Sequence, residues 1–152
     1  MAHVRQQIVE KFEEILTPVF GEDRVIKSLY PHDAHPDGMV QVLIVNEDVD
    51  RGDLDVQTPV YNSRSLFVGV AIIVANAEQT NRFLAQDLSV MVEEAVAAED
   101  PRFDGLVEWT SLEGYSQELT HDDRETLVGT LIYRVDYVTE STDVTRNNFY
   151  GD

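Results

Sequence analysis

The chain has 152 residues, 43% apolar and 26% charged, which suits one domain able to close a substantial hydrophobic core. It has no cysteine, which excludes disulfides, thiolate metal clusters and cysteine nucleophiles. Its 29 acidic residues against 11 basic ones give a formal net charge of −18, a surface that repels phosphate backbones, so specific nucleic-acid binding is not expected.

Val4, Ile8, Phe12, Ile15 and Leu16 recur at helical spacing with polar residues between them. This predicts an amphipathic helix over 3–17 that Thr17-Pro18 ends or bends. The same opening segment, with Glu10 close behind Met1, has none of the apolar run of a secretory leader. A short strand is expected over 25–30, stopped by Pro31, and MVQVLIV at 39–45 reads as a central strand covered on at least one face. Residues 46–59 then set Glu47, Asp48, Asp50, Asp53 and Asp55 against Arg51 alone. Like charges at that density predict an exposed loop, mobile before assembly.

In VYNSRSLFVGVAIIVA at 60–75, Leu66, Val68, Val70, Ile72 and Val74 alternate with Phe67, Gly69, Ala71 and Ile73, so both faces of this strand are apolar. Fully extended it spans about 50 Å, more than a compact domain of this mass needs, and its first half is expected to protrude as an arm or hairpin. Its most apolar stretch, 66–77, falls short of the roughly 18 residues of a membrane span, so a soluble chain with no membrane partner is expected. A helix follows, capped by Asn76 or Thr80, with Phe83, Leu84, Leu88, Met91, Val92, Ala95 and Val96 as its buried stripe and Asp100-Pro101 as its end.

Two strands over 106–119 and 125–138, joined by a polar turn at His121, Asp122 and Asp123, read as an antiparallel hairpin. Val107 and Trp109 share one face of the first strand, and Leu106, Thr110 and Leu112 the other. Residues 141–152 have no period and read as a tail in which Phe149 and Tyr150 stand out, since aromatics are scarce in unstructured ends. The whole order predicts an α+β fold: a mostly antiparallel sheet of about 4–5 strands, a long helix packed on one face and an N-terminal helix, in a single domain over 1–140.

Few constellations carry chemistry. His32, Asp33, His35 and Asp37 in YPHDAHPDG are metal-type ligands, but two prolines and a glycine mark a turn, and the spacing matches neither a zinc finger nor an H-E-x-x-H helix. His121 with Asp122 and Asp123 has the parts to orient a general base, yet no nucleophile stands in a distinctive context. Asp48, Asp50 and Asp53 lack the glycine and closing carboxylate of an EF-hand loop, and neither phosphate-loop motif occurs. No catalytic residue, metal site or cofactor is assigned. What remains is a surplus of apolar and aromatic surface, and Leu66, Phe67, Trp109, Phe149 and Tyr150 are the candidates for an assembly surface. Ordinary core burial is the competing reading for all but the tail aromatics.

The segments VRQQIVEKFEEIL, VGVAIIVANAEQTNRFLAQDLSVMVEEAVAAE and GLVEWTSLEGYSQELTHDDRETLVGTLIYRVDYVT together give a layout, over most of 3–139, that resembles the tail terminator proteins of long-tailed bacteriophages. That group includes the minor tail protein U of lambda-like phages. Its shared features are a strand-to-helix transition and a late hairpin ending in the run Tyr133-Arg134-Val135-Asp136-Tyr137. The resemblance implies a structural virion protein, not an enzyme, located in the virion tail and assembled in the host cytoplasm. It implies a hexameric ring that caps the tail tube, ends tube polymerisation and provides the head–tail joining surface. Its partners would be copies of itself, the tail tube protein and a head connector or completion protein, with DNA passing through the ring without specific binding. Glu47, Asp48, Asp50, Asp53 and Asp55 are then candidates to face that channel. Competing classes are another phage neck or tail adaptor, an acidic inhibitor that mimics DNA, and a small hydrolase.

Overall fold

The computed structural model describes residues 3–27, 37–51, 61–75, 83–121 and 125–140. In chain order these form α1 (Val4–Phe20), β1 (Val25–Ile26), β2 (Met39–Arg51), β3 (Tyr61–Ala75), α2 (Leu84–Ala97), a 3₁₀ turn at Phe103–Gly105, β4 (Trp109–His121) and β5 (Glu125–Glu140). The five strands make one sheet in the order β1-β2-β3-β5-β4, parallel between β1 and β2 and antiparallel elsewhere. This is the α+β fold with a mostly antiparallel sheet that the sequence pattern predicts.

Helix α1 forms because Val4, Ile8, Phe12, Ile15, Leu16 and Phe20 make one buried stripe. It runs past Pro18, where a stop or bend was expected. Pro18 falls in the last turn, where its missing N–H costs one intrahelical bond, and burial of Phe20 carries the helix on. Gly21, at φ 89°, then ends it by donating its N–H to the Thr17 carbonyl at 2.8 Å. In α2 the stripe is Ala85, Leu88, Val92 and Val96 with Ser89, while Phe83 and Met91 are exposed. Phe83 is the residue before the first turn, so its side chain does not follow the helical period.

Both helices lie on one face of the sheet, the inner face. Leu66, Val68, Val70, Ile72 and Val74 of β3 point into it, as do Val40 and Val42 of β2 and Leu131, Tyr133, Val135 and Tyr137 of β5. Each large side chain so buried contributes roughly 1.5–3 kcal/mol. Leu66, a candidate for the assembly surface, is 0% exposed and belongs to this core.

Two expectations about the long strands are corrected. The arm expected within 60–75 is not formed by its described part, 61–75: β3 is central, paired with β5 from Tyr61 to Ala75 and with β2 from Asn62 to Ile73. Nor are residues 46–51 a loop. After a bulge at Val45, β2 continues in register with β3 as far as Arg51. The alternation sends Glu47 to the inner face, where it finds cationic partners, and sends Asp48 and Asp50 to the outer face, where they meet water. A second bulge at Glu113 interrupts β4, which starts at Trp109 because the 3₁₀ turn precedes it. Residues 28–30 of the expected first strand, His32, Asp33, His35, Asp53, Asp55, Asn76, Thr80, Asp122, Asp123, Phe149 and Tyr150 lie outside the described residues.

Candidate assembly surfaces

Where α1 begins, its first turn is tied to the inner face of the sheet by a compact charge cluster. The Glu47 carboxylate accepts from Arg64 Nη1 at 2.6 Å and from Arg5 Nη2 at 3.0 Å, and its second oxygen accepts from Arg5 Nε at 3.2 Å and from the Tyr137 hydroxyl at 2.5 Å. Arg64 Nε donates to Thr139 Oγ1 at 2.8 Å. The Glu47 and Arg64 side chains are each 9% exposed. Burial alone pushes the Glu47 carboxyl up, but the hydrogen bonds from Arg5, Tyr137 and Arg64 more than reverse this and hold it below the usual range. His3 accepts the Arg5 N–H on Nδ1 at 2.9 Å and so caps α1. Burial, with Arg5 and Arg64 nearby, keeps its imidazole below the ordinary value and so suited to accepting.

One residue along each of β2, β3 and β5, on the outer face, sits a second polar cluster. Arg134 Nε donates to Asp136 Oδ1 at 3.0 Å, and Ser65 Oγ donates to the same oxygen at 2.7 Å. With Asp48, Asp50 and Glu108 these residues line an open depression of about 370 Å³. Among the described residues no group of three or more His, Cys, Asp or Glu is disposed to hold a metal. Phe67 and Trp109 flank this cluster: Phe67 lies opposite Arg134 on β3, and Trp109, 52% exposed, opposite Asp136 on β4.

Among the described residues the two sides of the sheet are open: β4 bonds only to β5, and β1 covers β2 only at Val40 and Gln41. Both edges carry exposed apolar side chains on the inner-face side, Leu112, Tyr115 and Leu119 on β4 and Ile44 and Val49 on β2. Tyr115 lies across Gly129, where an added Cβ would run into its hydroxyl, so glycine is what lets the ring lie flat on the strand. Exposed apolar edges of this length invite pairing with another strand.

The chain is similar in fold to a chain in the solved virion of a native gene transfer agent particle, with a TM-score of 0.52 and 15% sequence identity, over 88% of this chain and 90% of that one. The likeness is one of fold. No protein-family profile and no curated protein matches the sequence.

Of the residues singled out from sequence, Phe67 and Trp109 share the outer face and Leu66 does not. Of the five acidic residues proposed to face a channel, Glu47 is turned inward and Asp48 and Asp50 outward, while Asp53 and Asp55 lie outside the described residues. The edge residues Ile44, Val49, Leu112, Tyr115 and Leu119 were missed. The signal for them was present: once a strand is placed at a sheet margin, apolar residues on the covered face beyond the helices have nothing above them.

Proposed function

We propose that this chain is a structural component of a phage-like particle, a tail terminator that forms a ring on the tail tube, ends its polymerisation and offers a joining surface to the head. The observation that supports the reading is the shared fold, over nearly the whole of both chains, with a chain of a gene transfer agent virion. The domain is residues 1–140, followed by a tail at 141–152. Three antiparallel pairings separate β2 from β4, so the two open edges run in opposite directions. The β4 edge of one copy therefore meets the β2 edge of the next antiparallel, and Leu112, Tyr115 and Leu119 come against Ile44 and Val49 of that copy. Such a head-to-tail contact closes when the rotation per copy divides a full turn, and six copies satisfy every edge.

In the ring the outer face, with Asp48, Asp50, Glu108 and Asp136, turns its carboxylates to the lumen, where they repel passing DNA without binding it. Phe67 and Trp109 beside them supply apolar anchors for the tube or connector. No chemical reaction is part of this role.

The test is solution mass by light scattering against salt and protein concentration, with negative-stain imaging in the presence of tail tubes. Six-copy rings that grow with ionic strength and cap the tubes support the reading, because salt screens acidic repulsion more than it weakens apolar burial. Protein that stays monomeric at high salt and high concentration, and leaves tubes uncapped, overturns it.

A further inference from the structure

Strand β2 carries one extra residue at Val45 and β4 one at Glu113, so any pairing of their outer edges has to be counted past these two bulges. Val40, a residue of the inner face, donates its N–H at 2.9 Å to the Arg24 carbonyl on the side of β1. Along β2 the inner-face residues therefore turn their backbone groups towards that edge. Alternation through β3 and β5 gives β4 the same parity, so Tyr115, Gln117 and Leu119 of its inner face also turn their backbone groups outward. At both edges the outward backbone groups and the inner-face side chains belong to the same residues. A ladder between the two edges keeps its bonds and its faces only when inner-face residues stand opposite inner-face residues, so the register moves in steps of two.

We infer that the β4 edge joins the β2 edge of a second copy in one register, with Tyr115 opposite Val49 and Leu119 opposite Ile44. This rests on the edge contact proposed above and assigns its partners residue by residue. Between the two apolar pairs, Gln117 comes opposite Glu47 on the inner face, while Ser116 meets Asp48 and Glu118 meets Asn46 on the outer face. Opposed apolar side chains strengthen a ladder and directly opposed like charges weaken it. Both neighbouring registers fail. Slid two residues one way, Leu119 lies opposite Val42, and Thr120 and His121 run onto Gln41 and Val40, the places that β1 already holds. Slid two residues the other way, Leu119 falls on Glu47, Gln117 on Val49, and Glu118 stands directly opposite Asp48. By ending at Ile26, β1 sets the point where the strand of the second copy stops.

The cysteine-free sequence lets the register be read by cross-linking two full-length variants, mixed at the salt concentration that gives the largest assembly. Under mild oxidation, Leu119→Cys and Ile44→Cys should form a disulfide with each other at least tenfold faster than Gln117→Cys forms one with either Ile44→Cys or Val49→Cys, the pairs that the two neighbouring registers bring together. All four positions are exposed in the subunit, so the substitutions spare its core. A Gln117→Cys pair that reacts fastest overturns the register and leaves the edge contact standing. No disulfide from any pair, while the wild type forms rings, overturns the edge contact and this inference with it but not the ring; absence of rings under every condition overturns the function proposed above and the inference together. A charge swap needs no cysteine. Leu119→Lys with Ile44→Glu in one chain should restore the ring assembly that Leu119→Lys alone loses, and restoration by Leu119→Lys with Val49→Glu instead would overturn the register.

Discussion

Two clusters of the same chemistry sit back to back on β2, β3 and β5, one residue apart in the sequence. On the inner face Glu47, Arg64 and Tyr137 meet Arg5 under the start of α1; on the outer face Asp136, Ser65 and Arg134 meet one another in the open. The inner carboxylate and its guanidinium partner are each 9% exposed, whereas the Arg134 and Asp136 side chains are 45% and 35% exposed. The pair distances, 2.6 Å and 3.0 Å, do not separate the clusters; what water can reach does. Removing one partner of a buried pair leaves a charge that nothing solvates, while an exposed pair is replaced by water at little loss.

Glu47→Ala breaks that comparison most sharply. It leaves Arg64 without its carboxylate and should lower stability by about 3–5 kcal/mol, read from the urea midpoint. A loss equal to that of an outer-face variant would remove the distinction between the clusters. Next comes the pH profile. Glu47 is held below its ordinary value, so its stabilisation is complete above the unfolded carboxyl pKa of 4.5 and disappears as pH falls through the lower folded value. The imidazole of His3, held below 6.5, acts in the same direction from a higher pH: its contribution is full above 6.5 and fades as pH drops through its lowered value. Acid titration of Glu47→Gln should lack the lower of these two losses, and a profile superimposable on the wild type would assign that loss elsewhere.

Smaller effects on stability are expected at the edge and on the outer face. Leu119→Lys places a charge on the open side of β4, where its stability should stay within about 0.5 kcal/mol of the wild type, while the salt-induced mass increase should vanish. Rings that form as before would move the contact away from this edge. Asp136→Asn comes last. Its unfolding midpoint should match the wild type within the scatter of repeats, and a drop approaching that of Glu47→Ala would show that the outer cluster is shielded from water.

Periodicity made the helices and the core face of β3 readable, since Ile8, Phe12 and Leu16 or Val68, Val70 and Ile72 have one side that must be dry. It was less informative wherever a residue's partner lies far along the chain. Glu47 reads as a loop residue among carboxylates because Arg5, Arg64 and Tyr137 are 42, 17 and 90 positions away. The apolar run at 60–75 looked too long for one sheet for a related reason. β3 is hydrogen-bonded along both of its edges, to β2 and to β5, and no local pattern announces a strand paired on both sides. The exposed edge side chains depend on strand order, and the bulges at Val45 and Glu113 shift the alternation that would otherwise have assigned their faces.

The place of β5 in the sheet bears on how the protein is made. It is the last of the described strands, yet it sits between β3 and β4, and its partner to Tyr61 is Glu140, 79 positions away. Until β5 emerges from the ribosome, the β2–β3 hairpin has a bare edge along all of β3, and β4 has nothing to pair with. Loop closure over that separation makes this the slow step of folding. Synthesis thus passes through a half-sheet with apolar residues on both faces, and that nascent intermediate, more than the finished subunit, is the species at risk of aggregation.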